Sequence, residues 1–125
     1  MHRILIVDDH AAVRHALRSL FELSEFEVCG EAVNGCEAIE KARELHPDLI
    51  LLDLSMPVMN GLDAARELTK LMPHIPLIMF TNQISKVMEE EARKVGVRSI
   101  ISKDELYVRL MDDAREILEI RQIRK

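Results

Sequence analysis

Residues 49–63 read LILLDLSMPVMNGLD. The apolar run that opens the stretch has the composition of a strand buried on both faces. It stops on a carboxylate, Asp53, and the chain then turns through MPVMNG, with Pro57 and Gly61 as turn residues. One acid where a strand leaves the core is ordinary. Its meaning depends on how the neighbouring strands end.

On either side of this stretch, short apolar runs alternate with segments of helical period. RILIV at 3–7, EVCGE at 27–31, DLILL at 48–52, PLIMF at 76–80 and RSIIS at 98–102 read as strands. A helix is expected over 11–22, with Val13, Leu17, Leu20 and Phe21 on one face. A second opens at Asn34-Gly35, carries Ala38, Ile39, Ala42 and Leu45, and stops at Pro47. A third covers 62–71 and ends before Pro73, and a fourth covers 84–95 with Ile84, Val87, Met88, Ala92 and Val95 on one face. The last spans 105–122, and residues 119–125, EIRQIRK, continue its pattern with alternating charge. Strand and helix alternating five times predict an α/β fold, a doubly wound parallel sheet with helices on both faces.

The strand ends are polar in a chemically coherent way. Asp8 and Asp9 end the first strand, Asp53 the third, Thr81 the fourth and Lys103 the fifth. In a doubly wound sheet all carboxyl ends lie at one edge, and ligands bind there, where the strand order reverses. Three carboxylates gathered together repel one another unless a cation joins them, and an all-oxygen set suits Mg2+. With the ion in place, Asp53 can attack phosphorus and form an aspartyl phosphate. The Lys103 ammonium and the Thr81 hydroxyl then take charge from the phosphoryl oxygens. Taken singly, each residue has a plainer reading: Asp8 and Asp9 as helix caps, Asp53 as a turn former, Thr81 as a strand end or cap, Lys103 as a solvated lysine. Capping alone does not account for the right chemistry at four of five strand ends.

Composition is consistent with one globular domain over residues 1–125, 48% hydrophobic and 31% charged. No apolar run approaches the ~20 residues of a membrane span. The start, MHRILIVDD, lacks a signal-peptide pattern, which places the chain in the cytoplasm. A formal charge of −5 argues against direct binding of nucleic acid. Cys29 and Cys36 have neither metal-ligand nor CxxC spacing and are expected as buried or half-buried thiols.

Four segments carry a family resemblance: ILIVDDH at 4–10, LLDLSMPVMNGLD at 51–63, MFT at 79–81 and SK at 102–103. In order and spacing the chain resembles the receiver domain of a two-component response regulator, of the CheY-like kind, over essentially its whole length. The resemblance implies a flavodoxin-like sheet of five strands in the order 2-1-3-4-5, flanked by five helices. It implies that Asp53 accepts a phosphoryl group from the phosphohistidine of a sensor histidine kinase. Asp9 then matches the direct Mg2+ ligand, Asp8 the acid that holds the metal's water shell, and Ser55 the residue whose backbone carbonyl completes the metal site. Thr81 and Lys103 match the two residues that sense the phosphoryl group. Ser55, by its hydroxyl, and Asn82 stand at the site mouth, where they tune phosphoryl transfer and loss. Pro57 and Gly61 match the turn after the acceptor, with glycine at an unusual backbone conformation. The implied output is a switched contact with a downstream domain or protein, with homodimerisation on phosphorylation as one form of it. The chain then catalyses only its own phosphorylation and dephosphorylation.

Three positions depart from the family's commonest pattern. Ile100 stands where a tyrosine or phenylalanine usually swings with the threonine, so the switch pair is Thr81 with an aliphatic partner. Asp104 replaces a frequent proline, and Asn82 a smaller residue. The DDH start and the absent proline resemble receivers of the NarL/FixJ type, which usually precede a DNA-binding domain and so serve transcription regulation; no output domain is read within 1–125. Ile84, Val87, Tyr107 and Met111 border the expected output face, with core packing the expectation for at least half of them. His10 and His15 could each be read as a metal ligand or a phosphohistidine, but His10 is expected to border the site mouth and His15 to lie on a solvated helix face. Three other readings compete: an interaction module that never uses its phosphate site, a Mg2+-dependent aspartyl-phosphate hydrolase, and a flavin-binding protein. The hydrolase lacks an additional acid and a substrate cap. The flavin reading lacks a phosphate-cradling loop, since Asp8 and Asp9 occupy its place.

Overall fold

The structure, a computed structural model, describes residues 2–82 and 84–123, the last five by backbone alone. Five strands and five helices alternate: β1 (His2–Val7), α1 (Ala11–Glu22), β2 (Phe26–Ala32), α2 (Gly35–Leu45), β3 (Leu49–Asp53), α3 (Gly61–Leu71), β4 (Leu77–Thr81), α4 (Lys86–Lys94), β5 (Ser99–Ser102) and α5 (Leu106–Ile123). All strand pairs are parallel, in the order β2-β1-β3-β4-β5. The alternating charge expected of residues 119–125 lies outside the described side chains.

The sheet separates two apolar layers. One face packs Ile4, Ile6, Leu49, Leu51, Ile78 and Phe80 against α1 and α5, through Leu17, Phe21, Leu110 and Ala114. The other packs Leu5, Val7, Ile50, Leu52 and Met79 against α2, α3 and α4, largely through alanines such as Ala38, Ala42, Ala64, Ala65 and Ala92. Because both faces are covered, the central strands are apolar without alternation, as in parallel sheets generally.

The helix starts follow from side-chain capping. Asn34, Asn60 and Ser85 accept hydrogen bonds from the N–H groups of Glu37, Asp63 and Met88. The N-cap of α1 is His10, with no side-chain cap, so neither Asp8 nor Asp9 serves the capping role that is their plainer reading. Between Ile4 and Leu5 the β1–β2 register slips by one residue, leaving Cys29 without a partner in the ladder.

Several expectations need correction. Ile84 precedes α4, and it and Val87 are exposed, as is Tyr107; of the four face residues only Met111 packs on the core. Core packing therefore does not hold for half of them. The α4 helix is short and its buried stripe is confined to Ala92, with Val95 at its edge, so the apolar period extends beyond what the core absorbs. Cys29 is half-buried as expected, but Cys36, in the first turn of α2, is exposed.

Candidate functional site

The polar strand ends converge. Asp53 is the last residue of β3 and Thr81 the last of β4, one residue later than the sequence pattern places the strand ends. Asp8 follows β1 and Lys103 follows β5. Backbone bonds fix these ends: Asp8 N–H donates to Ala32 C=O at 3.0 Å, Leu54 N–H to Phe80 C=O at 3.0 Å, and Lys103 N–H to Thr81 C=O at 2.7 Å. Asp8 and Asp53 are fully buried and Thr81 nearly so.

Lys103 Nζ lies 3.7 Å from Asp8 Oδ2 and 3.7 Å from Asp53 Oδ1. It also sits 5.5 Å from the centroid of the Phe80 ring. Asp8 Oδ1 accepts the His10 backbone N–H at 2.7 Å, and Asp53 Oδ1 accepts the Ser55 N–H at 3.3 Å. The remaining oxygens, Asp8 Oδ2 and Asp53 Oδ2, together with Asp9 Oδ1, are buried without a hydrogen bond. Buried acceptors left in this way cost free energy and call for an explanation such as an ion. Burial, then the charge of Asp8, push the Asp53 carboxyl up to about 6, against the opposing pull of Lys103 and the Ser55 N–H. Asp8, Asp9, His10 and Asp53 each offer one ligand atom, all within 4.8 Å of one another. This donor set fits a divalent cation, and the hard oxygens among it fit Mg2+.

The turn after Asp53 presses on it. An ideal Cβ at Gly61 would stand 2.2 Å from the Asp53 carbonyl oxygen. The glycine is therefore required by space; the left-handed backbone conformation expected of it falls instead on Val58, with φ 68°. Pro57 C=O accepts the Met59 N–H at 2.7 Å across Val58, which makes a strained γ-turn. Ser55 and Asn82 are exposed at the mouth. With Thr81 they line one end of an open groove of about 870 Å³, whose apolar wall includes Met56, Leu62, Val87 and Met88. Ile100 pairs with Met79 in the β4–β5 ladder and is half-buried against the core.

Sequence reasoning missed Arg14. Its Nη1 donates to Asp8 C=O at 2.8 Å and its Nε to Glu31 Oε1 at 3.0 Å, while Arg18 Nε holds Glu31 Oε2 at 2.7 Å. Burial raises the Glu31 carboxyl, but the Arg18 and Arg14 hydrogen bonds outweigh it and the net shift is downward. The available signal is two arginines one turn apart beside the apolar face of α1; nothing in the sequence points to Glu31. His10 borders the site as expected, and His15 is exposed.

A sequence profile described as the response regulator receiver domain matches residues 4–116. The chain belongs to the response regulator receiver family. It is 43% identical over 101 residues to the chemotaxis protein CheY of Thermotoga maritima, an overlap covering 81% of this chain and 84% of that protein. It is 44% identical over 102 residues to the response regulator protein VraR of Staphylococcus aureus, covering 81% of this chain and 49% of that one. The matched region thus spans most of one relative and about half of the other. A CheY-like receiver structure from Methanospirillum hungatei superposes with a TM-score of 0.93 at 26% identity, covering 100% of this chain and 99% of that one. The expected strand order and CheY-like fold are those observed. Among the described residues no helix is long and apolar enough to cross a membrane.

Proposed function

We propose that this receiver domain accepts a phosphoryl group on Asp53 from the phosphohistidine of a sensor histidine kinase, and so switches its contact with an output domain or partner protein. The observation that carries this reading is the pair of buried oxygens on Asp8 and Asp53 that lack a hydrogen bond, beside a single shared lysine. Asp9, Asp53 and the Ser55 carbonyl would hold Mg2+, with Asp8 on its water shell. Bound there, the ion supplies positive charge to the phosphoryl oxygens.

The residues of the chain do the rest. An Asp53 oxygen forms the new P–O bond as the P–N bond to the kinase histidine breaks; the leaving imidazole takes a proton from solvent. With a pKa of about 6, Asp53 is ionised at neutral pH, yet burial leaves it weakly solvated and so more reactive. Lys103 and Thr81 receive the charge of the product. Movement of Thr81 then reaches α4 through the groove wall at Val87 and Met88. The exposed side chains of Ile84, Val87 and Tyr107 offer an apolar surface for a partner or a second copy to read. On this reading the domain is not an enzyme beyond its own phosphorylation and dephosphorylation. It acts in the cytoplasm, and any DNA contact belongs to an output partner.

Intact mass after incubation with acetyl phosphate tests the proposal. A gain of one phosphoryl group that needs both Mg2+ and Asp53, lost in Asp53→Asn, is expected. No gain, with a control receiver labelled in parallel, would favour the reading as an interaction module with a silent site, to which the aliphatic Ile100 lends its support.

A further inference from the structure

His10 stands closer to the acids than a residue that merely borders a pocket. Its Nδ1 lies 3.1 Å from Asp8 Oδ1 and 3.1 Å from Asp9 Oδ1. The position is built by the backbone: the His10 N–H donates to Asp8 Oδ1 at 2.7 Å, closing an Asx turn that brings the imidazole over the two carboxylates. Asp9 Oδ1, buried and without a hydrogen bond, faces the same ring nitrogen. Asp53 Oδ2 and Asp8 Oδ2 are likewise buried and without a hydrogen bond. Among the described residues, Asp8, Asp9, His10 and Asp53 are the one group of three or more such side chains close enough to share an ion.

We propose that His10 is a metal ligand of this site and biases it toward borderline ions such as Co2+ and Zn2+ over Mg2+. The chemistry of the donors carries the argument. Three carboxylates alone make a hard oxygen site, the kind that Mg2+ shares with waters. Adding one imidazole nitrogen gives a mixed nitrogen and oxygen set, and imidazole suits the later divalent metals far better than Mg2+. Ligands of one such ion lie about 2.0–2.2 Å from it, so they stand within roughly 4.4 Å of one another. The four donor atoms, all within 4.8 Å, are near that span before any ion binds. His10 also remains largely solvent-exposed, so an ion meets it at the mouth before it meets the buried acids. A receiver of this kind would take its metal according to which ion is available, with the softer ion held by His10.

This inference rests on the proposed metal site, and the test separates the two. Calorimetric titrations with Co2+ and with Mg2+ are run on the wild type, His10→Ala, His15→Ala and Asp9→Asn. Removing a supporting residue of a metal site typically costs 10–100-fold in affinity, so loss of a direct ligand in His10→Ala is expected to weaken Co2+ by at least about tenfold. Mg2+ affinity is expected to change less than about twofold, since imidazole contributes little to a hard site. His15→Ala should bind as the wild type does, and Asp9→Asn should lose both ions. The visible absorption of bound Co2+ should shift in His10→Ala, a signature that a purely structural role would leave in place. Equal weakening of both ions in His10→Ala would reduce His10 to positioning the acids and overturn the proposal. Unchanged Co2+ binding would overturn it as well. If the wild type bound neither ion, the metal site itself would fall, and the proposal with it.

Discussion

Lys103 Nζ lies 3.7 Å from Asp53 Oδ1 while standing equally far from Asp8 Oδ2. One cation thus serves two buried carboxylates. Burial first, and the charge of Asp8 second, raise the pKa of Asp53, and the one positive charge of Lys103 does not offset them. The site is assembled under electrostatic strain that an added cation, or the loss of one charge, relieves.

Asp53→Asn removes one buried charge at constant shape. At pH 7.5 the variant is expected to exceed the wild type in stability by roughly 1–3 kcal/mol. The sign follows from the shift: the folded pKa, about 6, lies above the ordinary 3.8, so the native state binds the proton more tightly than the unfolded state. The wild type therefore gains stability as pH falls from above 6 toward 4, and the advantage of the variant shrinks over that window. Urea unfolding at pH 7.5 and pH 5 checks it. An equal advantage at both would show that the charge is not its source.

Lys103→Met has the opposite consequence at neutral pH. It leaves Asp8 and Asp53 buried with no cation beside them, at an expected cost of about 1–3 kcal/mol. Protonation of Asp53 at pH 5 should recover part of the loss. A pH-independent deficit would instead assign the effect to the lost contact between the ammonium and the Phe80 ring.

Two residues of one turn should respond differently. Gly61→Ala drives a Cβ to 2.2 Å from the Asp53 carbonyl oxygen and 2.8 Å from Leu54 Cα, both backbone atoms that cannot step aside. A loss of about 2 kcal/mol or more is expected, with phosphorylation impaired by displacement of the acceptor. Val58→Gly relieves a β-branched residue at φ 68°, a strain of order 1–3 kcal/mol that offsets the roughly 1 kcal/mol entropic cost of a glycine. Its unfolding midpoint should equal or exceed that of the wild type. A midpoint below that of Gly61→Ala would contradict both assignments.

The sheet order and the gathering of Asp8, Asp53, Thr81 and Lys103 were legible because each apolar run stops abruptly on a polar residue, and a parallel sheet sends those stops to one edge. What was not legible depends on contacts and element boundaries that only the folded chain sets. The need for glycine at 61 comes from a carbonyl eight positions earlier that only the folded turn brings near. The exposure of Ile84 and Val87 escaped because helical period alone does not reveal where α4 begins. The contact of Arg14 with Glu31 joins α1 to β2, and neither residue announces the other.

Arg14→Met tests that contact. It frees the Asp8 carbonyl and one oxygen of Glu31, two hydrogen bonds to a charged donor. A destabilisation of about 1–3 kcal/mol is expected at pH 7. Glu31, held below its ordinary pKa, contributes stability that is present above the unfolded value and lost as pH falls through the folded one. The difference between wild type and variant should therefore narrow below pH 4.5. A difference that persists there would place the effect in the Asp8 carbonyl alone.

The slipped register at Cys29 bears on how the molecule keeps to itself. The β2 strand is one open edge of the sheet, and its step changes midway along its length. An incoming strand that matched the first half would be one residue out of phase with the second, and its side chains would fall on the wrong face. The opposite edge, β5, has only four residues to offer. Neither border is a template for strand-on-strand growth, so copies of the domain can crowd together without their sheets joining edge to edge.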